Sequence, residues 1–184
     1  MVRRLTTLAG ALAITGALLA PIPASAAFPG ANGRIVFVNA DEFFTGGQIV
    51  SMASDGSDTQ ILVSAAQGDS LRAPAWSPGG KFILYEHRIA GNTDIWRMNP
   101  DGTGQRRLTS HGGHDGHPAW SADGSRIAFE SNRSGNFDIY TMGVDGGDLR
   151  RLTTNPAADR EPAWSPDNDR IAFSSNRRVS PFAR

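Results

Sequence analysis

Short stretches of apolar residues recur along this chain and are separated by segments rich in Gly, Asn and Asp. Three of these stretches begin at equivalent isoleucines, Ile83, Ile127 and Ile171, which are 44 residues apart. Each isoleucine opens a short run of alternating character bounded by turn-forming residues, and such runs predict β-strands rather than helices. The chain is therefore predicted to be an internal repeat of short strands.

Each repeat contains four predicted strands. A Pro-Ala-Trp-Ser segment precedes the isoleucine run, a second apolar strand follows it, and an Arg-Arg-Leu-Thr segment ends the repeat. The pairs Asp101-Gly102 and Asp145-Gly146 predict tight hairpin turns of type I′, which need positive φ at both central residues. Four antiparallel strands in 44 residues are typical of one blade of a β-propeller.

The aligned repeats predict an all-β fold, a partial β-propeller of about three and a half four-stranded antiparallel blades. The first blade is degenerate and has Phe28 at the tryptophan position of the others. Blades are predicted at about 27–71, 72–115 and 116–159, with a half blade at 160–177 and a non-repeat tail at 178–184. The loss of the repeat after Arg177 favours a truncated fragment. The alternative is a natural half-propeller, in which two copies of the chain would form a homodimer that closes one ring.

The first 26 residues have a different character from the repeats. A basic pair, Arg3 and Arg4, precedes an apolar run from Leu5 to Leu19, and Ala24-Ser25-Ala26 follows as a small-residue cleavage site. This order is typical of a secretory signal peptide. We therefore expect a secreted or periplasmic protein without a membrane span after signal removal, while the export route, Sec or twin-arginine, stays open.

The composition narrows the range of partners only slightly. The chain has 184 residues, no cysteine and a formal net charge of zero. A neutral chain lacks the basic surplus expected of a nucleic-acid-binding protein, and without cysteine no disulfide can stabilise the exported form. We expect a protein partner or a small polar ligand, and no nucleic acid.

Two sets of repeated residues are predicted to be structural. One tryptophan per repeat follows a Pro-Ala step, where a large flat side chain fills the space between neighbouring blades; these are Trp76, Trp120 and Trp164. Asp94 and Asp138 precede the second strand of their repeats. We expect them to pair with Arg88 and Arg133 in the preceding loops, which would tie each hairpin together.

Two overlapping sets of residues carry candidate chemistry. His and carboxylate side chains bind divalent cations, and three histidines lie within one glycine-rich loop, so a metal site is a hypothesis there, with a solvated loop as the alternative; the histidines are His111, His114 and His117. Four polar residues occupy equivalent repeat positions before the strand nearest the propeller axis. They are predicted to ring the mouth of the channel and to bind a cation or a polar ligand: Asp115, His117, Asp159 and Glu161.

The sequence contains no recognisable catalytic set. It has no Gly-x-Ser-x-Gly elbow, no cysteine, no glycine-rich phosphate loop and no His-Glu-x-x-His pair. A glycosidase-like carboxylate pair is conceivable, but no spacing singles one out. We expect a protein that is not an enzyme and that has no cofactor; a divalent cation would be added only under the metal-site hypothesis at the histidine loop.

The repeats resemble a known family. The segments PAWSPGGKFILY, GNTDIWRMNPDGTGQRRLT and PAWSPDNDRIAFSSNR are similar to the WD40-like repeats of the TolB-like β-propeller family. The resemblance implies an extracytoplasmic propeller, six-bladed in the family, that acts as a binding or scaffold protein for proteins or small ligands through its channel mouth. The alternative it leaves open is the propeller portion of a hydrolase, either a prolyl-oligopeptidase-like peptidase or a glycan-acting enzyme.

Overall fold

The computed structural model describes residues 33–39 and 47–177. These ranges form thirteen β-strands in four antiparallel sheets and contain no helix, which confirms the predicted all-β, partial propeller. No helix that could cross a membrane occurs within these two ranges. The predicted signal peptide at 1–26, Phe28 and the tail at 178–184 lie outside the described residues.

The four sheets follow each other along the chain as blades 1 to 4. Blade 1 has three strands in the described part, β1 (Arg34–Asn39), β2 (Gln48–Ala53) and β3 (Gln60–Ser64). Blade 2 has four, β4 (Ser70–Trp76), β5 (Ile83–Ile89), β6 (Asn92–Met98) and β7 (Arg106–Arg107). Blade 3 also has four, β8 (Asp115–Trp120), β9 (Arg126–Ser131), β10 (Asp138–Gly143) and β11 (Arg150–Arg151). Blade 4 has two, β12 (Asp159–Trp164) and β13 (Ile171–Ser175).

Every blade is an up-and-down meander, because each strand pairs with its neighbour in sequence. The first strands β4, β8 and β12 also contact one another across the blade boundaries, so they are the inner strands of the array. The strands β7 and β11 lie at the opposite end of their sheets. Both carry two exposed arginines, as expected for solvated strand edges.

The hydrophobic core lies between blades rather than within them. In β5, Ile83 and Tyr85 belong to a buried cluster shared with blade 1, whereas Leu84 belongs to the cluster shared with blade 3. Successive side chains of a strand point to opposite faces of the sheet, so one strand contributes to two interblade cores. All three side chains are fully buried.

The repeated tryptophans lie at these interblade cores. Trp76 is 8% exposed in the cluster between blades 1 and 2, and Trp120 is 4% exposed in the cluster between blades 2 and 3. The Trp120 indole Nε1–H donates to the Ala75 carbonyl of blade 2 at 3.3 Å. Trp164 is half-buried and lines a cleft between blades 3 and 4 together with Ile139 and Phe173.

The hairpin turns differ from the predicted type I′. Gly102 and Gly146 have φ of 83° and 88°, but the aspartates before them do not have positive φ. The Gly102 N–H donates to the Asn99 carbonyl at 3.0 Å, and Asn99 N–H donates to the Thr103 carbonyl at 2.8 Å. This pattern is a type I turn followed by a glycine bulge. Its physical reason is the Asp101 carboxylate, which accepts the Thr103 N–H at 3.0 Å and holds the aspartate in a right-handed conformation.

Gly102 and Gly146 also mark where a turn of one blade contacts the preceding blade. A Cβ added at Gly102 would collide with the Leu62 carbonyl of blade 1, and one added at Gly146 would lie 2.8 Å from the Leu108 carbonyl of blade 2. The equivalent Gly56 of blade 1 has φ of 86° and open space around it. The three turns therefore share a backbone conformation but differ in their interblade contact.

We expect Gly102→Ala and Gly146→Ala to destabilise the protein more than Gly56→Ala. All three substitutions strain a positive φ, at about 1–2 kcal/mol, while the first two also force a blade apart, at about 1–3 kcal/mol more. Urea unfolding of the three variants gives the comparison, with Gly56→Ala as the matched control. Equal losses in all three would contradict a blade contact at these glycines.

Candidate functional site

The inner strands β4, β8 and β12 share an irregularity at the same repeat position. The pairing register shifts between residues 72 and 75, 116 and 119, and 160 and 163. Within each bulge one residue that is not glycine has positive φ; these are Ala73 at 47°, His117 at 47° and Glu161 at 54°. A bulge re-aims a side chain and frees a backbone N–H from the strand pair, so the same device sets the direction of all three residues.

The freed N–H groups are bound by carboxylates of the preceding blade. His117 N–H donates to Glu86 Oε1 at 2.6 Å, and Glu161 N–H donates to Glu130 Oε2 at 2.9 Å. Glu86 and Glu130 are 5% and 0% exposed. Each bond crosses a blade boundary, and each satisfies both a backbone donor and a buried acceptor that would otherwise be costly to leave unpaired.

Glu130 is the centre of a cluster of polar side chains in which His117 and Arg160 are exposed and His114 is half-buried. His117 Nδ1 lies 3.2 Å from Glu130 Oε2, and Arg160 Nη1 lies 3.3 Å from Glu130 Oε1. His114 Nε2 is 4.0 Å from Glu130 Oε1. Arg160 also stacks on the Phe137 ring, with Cζ 3.5 Å from the ring centroid. The result is a rim of His114, His117 and Arg160 above a carboxylate that water does not reach.

The proton equilibria of the cluster favour an ionised pair. Burial raises the pKa of Glu130, but the hydrogen bonds from His117 and from the Glu161 backbone, with the charges of His117 and Arg160, outweigh it and lower the pKa below its ordinary value. The hydrogen bond to Glu130 raises the pKa of His117 against the opposing effect of burial. Each group therefore stabilises the charged form of the other.

Asp115 and Asp159 lie behind this rim rather than on it. Both carboxylates are fully buried. Asp115 Oδ2 accepts from Arg133 Nη2 at 2.8 Å, and Asp159 Oδ2 accepts from Arg177 Nη2 at 2.5 Å. Of the four predicted mouth residues, only His117 and Glu161 are exposed; the two aspartates anchor the start of β8 and β12.

Asp94 has a different partner from the predicted Arg88. Its Oδ2 accepts from Arg107 Nη2 at 2.6 Å, and its Oδ1 accepts from the Thr109 hydroxyl at 3.3 Å. The pairing of β6 with β7 places Arg107 opposite Trp96, two residues beyond Asp94 and within reach of its carboxylate. Arg88 is exposed and its Nε lies 3.5 Å from the Gly91 carbonyl.

Asp138 repeats the arrangement of Asp94 in blade 3, so its predicted partner Arg133 is also wrong. Its Oδ2 accepts from Arg151 Nη2 at 2.7 Å and from the Ser134 hydroxyl at 2.7 Å. Arg133 binds Asp115 instead. The aspartate ties β10 to the outermost strand β11 through Arg151 and to the preceding loop through Ser134, rather than through the predicted Arg133.

The three histidines do not form the predicted metal site. Within residues 33–39 and 47–177, no group of three or more His, Asp or Glu residues is arranged to hold a metal ion. His111 Nδ1 accepts the Gly113 N–H at 3.0 Å within its own turn, while His114 and His117 face Glu130. The latter two therefore belong to the carboxylate cluster.

Sequence reasoning missed Glu86, Glu130 and Arg160. The two glutamates occupy the fourth position of their isoleucine strands, where blade 1 has Val38 and blade 4 has Ser174. Alignment of the repeats places these glutamates in strands that are otherwise apolar and expected to be buried. An acidic residue at this position is therefore an exception to the pattern. That exception was the available signal, because a buried carboxylate needs specific partners.

A family model described as the TolB beta propeller domain matches residues 30–182. The structure is similar to that of TolB from Agrobacterium tumefaciens, with 30% sequence identity and a TM-score of 0.68 over 78% of this chain and 50% of that chain. TolB from Acinetobacter baumannii is 27% identical with a TM-score of 0.66, over 77% of this chain and 34% of that one.

This chain thus spans about half the length of the Agrobacterium protein and about a third of the Acinetobacter protein. An oligogalacturonate lyase in complex with manganese shares the fold at 19% identity, with a TM-score of 0.61 over 74% of this chain and 42% of that chain. Among curated protein sequences none matches this chain.

We expect Asp138→Asn to destabilise the protein strongly, and Asp148→Asn to have a much smaller effect. Asp138 is fully buried, so neutralising it breaks a buried ion pair, at a cost of about 2–4 kcal/mol. Asp148 pairs with Arg126 and Arg150 on the surface, where its side chain is 50% exposed, and exposed pairs contribute little. Thermal or urea unfolding of both variants provides the test, and similar losses would contradict a structural role specific to Asp138.

Proposed function

This chain belongs to the TolB β-propeller family, and we propose that it is an exported binding or scaffold protein whose working surface is the channel mouth at β8 and β12. The observation that carries this proposal is the cluster around Glu130, where the bulged strands β8 and β12 place exposed polar side chains around a buried carboxylate. The partner is a protein or a small polar ligand.

The mouth has the properties of a pre-organised polar binding surface. His117, Arg160 and Glu161 are exposed and stand on strands rather than on loops. The backbones of His117 and Glu161 are fixed by the bonds to Glu86 and Glu130, and the Arg160 side chain is held by Glu130. Asp115 and Asp159 anchor the same strands from behind. Side chains that are already held in place lose less conformational entropy when a partner binds than mobile side chains do.

Export is supported by the signal-like order of the first 26 residues. We propose that the mature chain begins at Ala27 and works outside the cytoplasm.

The alternative is that the chain is the propeller portion of a hydrolase. A prolyl endopeptidase shares its fold at 14% identity, which supports the fold and not the chemistry. The cluster at the mouth favours binding, because the Glu130 oxygens already accept from His117, Arg160 and the Glu161 backbone and are not free to act as a general base.

We expect His117→Ala, Arg160→Ala and Glu161→Ala each to weaken capture of the partner about tenfold or more, since one lost anchoring contact corresponds to about 1.4 kcal/mol. The mature chain is recovered from the extracytoplasmic fraction, and its first residue should be Ala27. Capture of the partner is then measured by cross-linking to this chain and by retention of the partner on it. Lys81→Ala, at an exposed loop lysine, is the matched control.

Capture that is equal for the mouth variants and the Lys81 variant would contradict this surface. A screen of the same preparation against peptide and glycoside substrates separates the alternative. If the chain turns over one of these substrates, and if a single carboxylate substitution abolishes that turnover, the chain is an enzyme and the binding role is overturned.

The cleft beside blade 4 supports a further proposal, that two copies of the chain close one ring. The cleft has a volume of about 490 Å³, and the apolar side chains of Leu152, Trp164, Ile171 and Phe173 line it together with polar residues of the same two blades. Within the described residues β13 pairs only with β12, so its other edge can accept a strand.

We expect light scattering of the mature chain to give the mass of a dimer, and Phe173→Ser in the cleft to shift it toward monomer. Ile89→Ser is the control, because Ile89 is an exposed apolar residue, 41% accessible, outside the cleft. A monomeric parent chain, or equal effects of the two variants, would contradict ring closure by a second copy.

A further inference from the structure

Glu130 has a fully buried carboxylate that receives hydrogen bonds from two blades. Within blade 3 it accepts from His117 Nδ1 at 3.2 Å, and from blade 4 it accepts Arg160 Nη1 at 3.3 Å and the Glu161 N–H at 2.9 Å. A buried charge without such partners would be strongly destabilising. The attachment of β12 to blade 3 at this point therefore depends on how well the charge of Glu130 is compensated.

His117 is the donor whose charge can change near neutral pH. Its side chain is 49% exposed, so protons reach it although they do not reach Glu130 directly. The charged and titratable groups that face it come from every element packed against it: Glu86 of β5, Glu130 of β9, Arg160 and Glu161 of β12, and His114 of the preceding turn.

The loss of one proton changes the charge of this group of residues substantially. Leaving His114 aside, three carboxylates face two cations when His117 is protonated, and three face Arg160 alone when it is not. The neutral imidazole can still donate one hydrogen bond, but it no longer offsets the buried charge of Glu130. The mouth then carries one more unit of negative charge.

We propose that His117 is a pH-dependent switch. Its protonation state sets the charge of the channel mouth and the strength of the contact between blade 3 and β12. With its proton, His117 compensates Glu130, and the shared carboxylate holds the bulge of β12 through the Glu161 N–H. Without it, the mouth is more negative and β12 is held less firmly. This inference names a regulation of the surface proposed above as the working surface, but it concerns the protein without any ligand.

The direction of the effect follows from linkage. The pKa of His117 is raised in the folded chain, chiefly by its hydrogen bond to Glu130. The stability from this contact is therefore complete below the ordinary histidine value of about 6.5 and is lost as the pH rises through the raised value. Each unit by which the pKa is raised corresponds to about a tenfold change in the unfolding equilibrium constant.

The first test is an NMR titration of the histidine ring protons in the purified chain and in Glu130→Gln, with EDTA present so that no metal competes with protons. We expect the His117 midpoint to lie above about 6.5 in the parent chain and to fall in Glu130→Gln. A parent midpoint at or below the ordinary value, or one that Glu130→Gln leaves unchanged, would overturn the proposed switch.

The second test does not depend on a buried substitution that may prevent folding. Urea unfolding of the parent chain and of His117→Gln is compared from pH 5 to pH 9, with His111→Gln as the control. We expect the stability of the parent relative to His117→Gln to fall as the pH rises above about 6.5, and His111→Gln to follow the parent. Parallel profiles of the parent and His117→Gln would overturn the proposal.

Neither test uses a partner, so its outcome is separate from that of the binding proposal. Loss of capture in the mouth variants together with an ordinary His117 midpoint would leave the binding surface in place and remove its regulation. A raised His117 midpoint together with unchanged capture would support the pH-dependent switch and contradict the binding surface.

Discussion

A carboxylate that is removed from water needs a charged or hydrogen-bonding partner, and this requirement organises the blades of the protein. Asp94 and Asp138 are buried against arginines of the outermost strands, and Asp115 and Asp159 against arginines that follow the second strand. Glu130 is buried against groups from two blades. Because the chain has no cysteine, these ion pairs and the apolar interblade cores replace covalent links.

The same requirement positions the candidate site. A buried glutamate binds the backbone N–H that a bulge releases from the next inner strand, and the bulge in turn aims the exposed side chain of His117 or Glu161. Structure and function therefore share one set of contacts. A change in the buried carboxylate alters the exposed surface, and a change in the charge of the surface alters how firmly the next blade is held.

The sequence predicted the repeating architecture well because the period of 44 residues and the short apolar runs are properties of each repeat by itself. The contacts that join repeats were harder to predict. Glu86 binds residue 117 and Glu130 binds residue 161, and nothing within one repeat shows that its acceptor serves the next. Asp138 was assigned to the nearer Arg133, whereas strand pairing brings in Arg151 from the outer edge. The turns at Gly102 and Gly146 were located correctly, but their type depends on a local side-chain bond that the Asp-Gly pair alone does not specify.

Amide hydrogen exchange at the three equivalent bulge residues tests the central claim most directly, namely that buried carboxylates of one blade hold the inner strand of the next. All three residues are exposed and have similar positive φ, but the position of blade 1 that is equivalent to Glu86 and Glu130 is Val38, which has no side-chain acceptor. The account predicts that the amides of His117 and Glu161 exchange about tenfold or more slowly than that of Ala73, as expected for a hydrogen bond to a charged acceptor. Exchange at the same rate at all three positions would contradict it.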